Sequence, residues 1–144
     1  MVDATLTLLD LIHQHVTLAA EHVELTISQA MLLRRLGEPA SMCEAAQVMQ
    51  CDPSNVTGLI DRLEKRGLVE RRPDPDDRRV RLLVLTPAGR DVRARFERAL
   101  AKGMPPFASL DAGDAERLLA LLQTSLPSGP TTPCAGRPGA DVPG

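Results

Sequence analysis

The sequence predicts a mainly α-helical domain carrying one small β-hairpin, and three observations point there. Apolar residues recur at helical spacing in six stretches, several of them opened by a capping residue with a polar partner three positions later. One segment breaks the pattern: within 68–85, two short β-prone runs flank "PDPDDRR", where prolines forbid helix and aspartates favour turns. Finally, Phe96 and Phe107 are the sole aromatics among 144 residues, and a core of Leu, Val, Ala and Ile suits packed helices better than a sandwich. A chain of this length is one domain.

The elements follow in order. Residues 4–22 place Leu6, Leu9, Ile12, Val16 and Ala20 on one face, with Leu8, Leu11 and Leu18 widening the stripe beyond what one short helix needs against a small core. A second helix spans 26–36, with Thr26 as N-cap, Gln29 completing a capping box and Gly37 as a stop. A third spans 41–50, opened by Ser41 with Glu44. After a tight turn at Cys51-Asp52, Asp52 caps a fourth helix whose first residue is Pro53. Val56, Leu59, Ile60 and Leu63 form its buried face. Ser54, Gly58, Asp61 and Lys65 lie opposite, with Thr57 and Arg62 at the flanks, and Gly67 ends the helix in a left-handed cap. Two short helices joined by so tight a turn, the second exposing hydroxyls, an amide and cations, make a helix-turn-helix. Its second helix fits the DNA major groove.

Leu68–Arg72 and Val80–Leu85 then form the hairpin, with Arg78 and Arg79 at its tip. Guanidinium groups on a projecting loop suit the narrow, electronegative minor groove, and Asp77 is placed to fold back and aim Arg79. Thr86 caps a fifth helix with Pro87 at its first position and a seam of Val92, Phe96, Ala99 and Leu100; Gly103 and Pro105-Pro106 break it. Asp111, with Asp114, opens a sixth helix striped by Ala115, Leu118, Leu119 and Leu122. The last 18 residues, "PSGPTTPCAGRPGADVPG", are too rich in Pro and Gly to order themselves.

Charge is segregated along the chain, which carries −2 overall. Residues 1–53 hold two arginines against seven acids, residues 54–95 eleven basic residues against seven acids, and residues 96–144 four against five. A basic segment in an acidic chain is the footprint of a surface built for an anion, and duplex DNA is the commonest such partner. The apolar run near the N-terminus is broken by Asp10 and too short to span a bilayer. It lacks the features of a signal peptide. An intracellular, cytoplasmic protein with no membrane partner is expected. Three cysteines suit a reducing compartment rather than a disulfide framework.

The run "CDPSNVTGLIDRLEKRGLVERRPDPDDRRVRLLVLTPAGR" strongly resembles the MarR family of bacterial winged helix-turn-helix regulators. The most specific parts are "DPSNVTGLIDRLEKRGLV", the "D-x-R" of Asp77 and Arg79, and "LTPAG" at Leu85–Gly89. The match extends more loosely from about Leu6 to Leu126. It implies a domain over 1–126, with a DNA-binding lobe at about 26–86, dimerisation helices at about 4–22 and 87–126, and a disordered tail over 127–144. It implies a homodimer with interlocked first, fifth and sixth helices, a pseudo-palindromic double-stranded operator, and repression relieved by a small ligand or an oxidant. Ser54, Asn55, Thr57, Arg62, Lys65, Arg71, Arg78 and Arg79 are the expected DNA contacts, with Arg79 at the position of the family's wing arginine and Asp77 orienting the wing. This sequence departs from the family at Gly58, where many members carry a cation.

Other chemistries are less well supported. Cys43 and Cys51 are candidates for a redox-sensing repressor, Cys51 because it stands at a helix start; buried free cysteine is, however, common as a small hydrophobe. His15 and His22 share a helix face two turns apart, too far to hold one ion, so no metal and no cofactor is expected. The scarcity of aromatics makes any effector pocket aliphatic. No phosphate loop or nucleophile–base spacing suggests an enzyme. A winged-helix protein-interaction module that has lost DNA binding, with Gly58 as the loss, is the alternative class.

Overall fold

In a computed structural model of the chain, residues 2–103 and 107–125 are described. The expected break at Pro105-Pro106, the tail 127–144 and Cys134 lie outside them. The described elements are α1 (Val2–Glu21), α2 (Ile27–Arg35), β1 (Ala40–Ser41), α3 (Met42–Met49), α4 (Pro53–Lys65), β2 (Val69–Pro73), β3 (Arg81–Leu85), α5 (Pro87–Ala101) and α6 (Ala112–Ser125).

Cap chemistry sets most helix starts. The Thr26 hydroxyl accepts from the Gln29 amide at 3.3 Å and the Gln29 side chain accepts from the Thr26 amide at 3.1 Å. Ser41 and Glu44 repeat the exchange at 3.2 and 2.7 Å. Each box satisfies two amides that the first helical turn would otherwise leave without partners. The Asp111 carboxylate accepts from the Asp114 amide at 2.8 Å. The start of α4 differs from expectation. Asp52 occupies the N-cap in an extended conformation, but its side chain makes no cap hydrogen bond; only its carbonyl engages, accepting from Asn55 at 3.0 Å.

The hairpin is part of a three-stranded antiparallel sheet ordered β1-β3-β2. The two-residue strand β1 is an addition to the expected hairpin: Ala40 and Ser41 pair with Leu83 and Leu82. In the hairpin, Val69 faces Leu85, Arg71 faces Leu83 and Pro73 faces Arg81. Pro73 is tolerated because it ends an edge strand, where no ladder donor is required of it.

One hydrophobic core lies between α2, α4, α5 and the sheet. Val56, Ile60 and Leu63 of α4, Leu32 and Leu33 of α2, Leu83 of β3 and Phe96 of α5 are all fully buried. Leu59, expected on the same buried face, is only half-buried. The terminal helices contribute little: α1 buries only Ala19 and Ala20, and α6 buries none of its residues.

Candidate nucleic-acid interface

The turn between α3 and α4 is closed mainly by its backbone. Gln50 adopts a left-handed conformation (φ 51°), and the Cys51 amide reaches back to the Ala46 carbonyl at 3.1 Å. This is helix C-capping geometry, here with glutamine where glycine is usual. The chain therefore reverses in three residues and launches α4 across α3. With Val56, Ile60 and Leu63 inward, Ser54, Asn55, Thr57, Gly58, Arg62 and Lys65 are exposed on α4. The structure thus brings five of the expected contact residues onto one exposed helix surface.

A knot of hydrogen bonds joins the end of α4 to the hairpin and to α5, and it explains "LTPAG". Gly67 is left-handed (φ 69°), as expected. The Thr86 hydroxyl donates to the Gly67 carbonyl at 2.7 Å, and the Thr86 amide donates to the Leu68 carbonyl at 3.1 Å. The same hydroxyl accepts from the Gly89 amide at 3.0 Å, capping α5. Gly89 is there because nothing larger fits: a Cβ at this position would stand 1.9 Å from the Leu68 carbonyl oxygen. The wing is thereby tied at its base to the exit of α4.

At the wing tip, the Asp74 amide donates to the Val80 carbonyl at 3.0 Å and the Val80 amide to the Asp77 carbonyl at 2.9 Å. The Asp77 carboxylate accepts from the backbone amide of Arg79 at 3.0 Å. Asp77 therefore fixes the loop backbone under Arg79 instead of gripping its guanidinium. Arg78 and Arg79 are exposed, and neither has an ion-pair partner among the described residues.

Arg71 stands apart from the other expected contacts. Its side chain is 29% exposed and bridges Asp61, at 2.6 Å, and Glu64. It is a strut from β2 to α4, and its one positive charge is shared by two carboxylates of that helix. The sequence alone does not show these partners, which lie seven and ten positions away across a helix end whose angle to the strand is a tertiary property. Arg66 was missed altogether: its guanidinium donates to the Glu24 carbonyl at 2.5 Å, linking the C-terminus of α4 to the α1–α2 loop. That loop borders a cleft of about 440 Å³ lined by Thr17, Glu21, Glu24, Leu25 and Ile27. Its accessible lining is mainly apolar, with Ala20, Leu25 and Ile27 and no aromatic side chain, as composition suggests for a pocket in this chain.

The remaining candidates are placed as follows. Cys51 is exposed in the helix-turn-helix turn as a free thiol, its S–H donating to the Met49 carbonyl at 3.2 Å. Cys43 is exposed on α3. His15 bonds through Nε2 to the Leu100 carbonyl at 2.9 Å, pinning α1 to the last turn of α5. No described helix is long and apolar enough to cross a membrane.

Comparison with known proteins agrees with this architecture. The sequence model of the MarR family matches residues 25–80, from the start of α2 to the wing tip. Among curated proteins, the transcriptional activatory protein BadR of Rhodopseudomonas palustris is 36% identical over 88 residues, covering 58% of this chain and 50% of that protein. The chain spans about half the length of such curated relatives. Among solved structures, a probable transcriptional regulator from Pseudomonas aeruginosa aligns with TM-score 0.63 and 30% identity over 82% of this chain and 93% of that one. The transcriptional repressor CouR, bound to a 23-mer DNA duplex, aligns with TM-score 0.71 and 28% identity over 86% and 91%. With the family model matching the helix-turn-helix and wing, and these folds aligning over more than four-fifths of the chain, the chain belongs to the MarR family.

Proposed function

We propose that this protein is a sequence-specific, double-stranded-DNA-binding transcription regulator that works as a homodimer in the cytoplasm. The carrying observation is the pairing of α4, with its exposed hydroxyl, amide and cationic side chains, with a wing whose Arg78 and Arg79 have no counter-ion among the described residues. An α-helix fills the major groove. Arginine on a narrow projecting loop suits the adjacent minor groove. In this reading Ser54, Asn55 and Thr57 meet bases or phosphates near the start of α4. Arg62, Lys65 and Arg78 hold the phosphate backbone, and Arg79 enters the minor groove. The relative CouR is a DNA-bound repressor.

Dimerisation follows from the leucines the monomer leaves in water: Leu6, Leu9 and Leu18 of α1 and Leu119, Leu121 and Leu122 of α6 are all more than two-fifths exposed. A two-fold arrangement would bury them and duplicate the lobe, so the operator is an imperfect palindrome with half-sites about 10 base pairs apart. Repression by occupancy is the mode we assign. Release would come from a small effector in the α1–α2 cleft, which reaches α4 through Glu24 and Arg66. The test is a gel shift with the DNA flanking the protein's own gene. A discrete complex that survives excess unrelated duplex is expected. No complex at micromolar protein would overturn the reading in favour of a protein-interaction module.

A further inference from the structure

Glycine is, after proline, the least favourable residue in a helix interior, so a glycine in mid-helix needs a reason. At four other glycines the structure supplies such a reason; Gly113, in the first turn of α6, meets only Asp111 at ordinary contact distance. Gly67 and Gly103 have positive φ, Gly89 lies against the Leu68 carbonyl, and a Cβ on Gly37 would press on the Arg93 guanidinium at 3.1 Å. Gly58 has none of these. It lies in the middle of α4 with no left-handed backbone, and a Cβ built there meets nothing within 4 Å. It is exposed at the centre of the outward face, one turn after Ser54 and one before Arg62, and next to Thr57. The fold would be more stable with alanine.

A residue that costs the fold stability and relieves no internal contact answers to something outside the chain. We infer that Gly58 is a specificity-determining position at which the α4 backbone itself lies against the major-groove floor, closer than a side chain would permit. The flanking Ser54 and Thr57 then reach base edges that a helix held off by one Cβ would miss. The Arg71 strut supports the same geometry, since it holds α4 rigidly to β2 and a close approach requires a helix that does not tilt away. This inference rests on the DNA-binding reading.

The experiment uses the full chain and duplexes enriched from a random library by the wild-type protein. Gly58→Ala is expected to raise the melting temperature by roughly 3 °C, because it improves helix propensity on an open surface. It is expected to weaken binding to the enriched duplex by about tenfold or more, the scale of one lost base contact. Binding to random duplex, which phosphates dominate, should change little. Enriched-duplex affinity equal to wild type, with the melt raised, would overturn the role of Gly58 and leave DNA binding standing. A wild-type protein that enriches no duplex would overturn both.

Discussion

The winged lobe and the terminal helices differ in how completely each satisfies itself. Between α2 and the start of α5 the apolar side chains find one another: Val56, Ile60, Leu63, Leu83 and Phe96 are at most 1% exposed. In α1 and α6 the same residue types stand in water, with Leu9 60% and Leu121 65% exposed. At about 25 cal/mol per Å² of apolar surface, such a row of leucines is stable only if something covers it. Among the described residues the lobe buries its apolar groups and leaves polar ones outside, which fits the proposed DNA-reading surface. The terminal helices leave apolar groups outside, which fits the proposed subunit interface.

Breaking the lobe from inside should have the largest effect. Gly89→Ala forces a Cβ into the Leu68 carbonyl and should cost about 3 kcal/mol or more, measured as a collapse in the thermal melt. A variant that melts like wild type would show that the knot joining α4, wing and α5 is soft. Breaking the other region should leave the lobe folded. Leu9→Asp with Leu121→Asp removes two exposed leucines per chain and should weaken the dimer roughly a hundredfold or more. Sedimentation would then show monomers with wild-type helix content; an unchanged dimer would mean that the interface lies elsewhere.

The two regions were also unequally legible. Helix starts were readable because cap signals are local: four residues carry Thr26 with Gln29, and Ser41 with Glu44. The buried face of α4 was readable because its period is a property of the helix alone. β1 was not, since a two-residue strand has no periodicity and exists because β3 offers it an edge. The bond between Arg71 and α4, and the close approach at Gly89, depend on how elements meet. In the terminal helices the excess of leucines was visible in the sequence, and the structure adds that the described residues do not cover them.

Smaller effects sharpen the division of labour within the lobe. Arg71→Ala should cost about 1 kcal/mol of stability, as a partly exposed ion-pair network does. It should also weaken DNA binding, and Asp61→Asn added to it should recover part of that loss by removing an unpaired carboxylate. No recovery would make Arg71 a direct contact instead of a strut. Thr57→Ala should lower affinity for the preferred duplex by about tenfold and for random duplex hardly at all. Lys65→Ala should weaken both by the same few-fold factor. Equal losses on both duplexes for Thr57→Ala would remove it from base reading.

The most direct test of the lobe as a DNA-reading surface is the salt dependence of duplex binding for Arg79→Ala beside wild type. The wing tip supports no core, so the variant should melt normally. Each arginine that neutralises a phosphate contributes roughly 0.9 to the slope of log affinity against log salt. Removing one from each protomer of a dimer should therefore reduce the slope by about 2, with a lower affinity at every salt concentration. An unchanged affinity and slope, with a normal melt, would show that the wing stays off the DNA and would contradict the assignment of Arg79 to the groove.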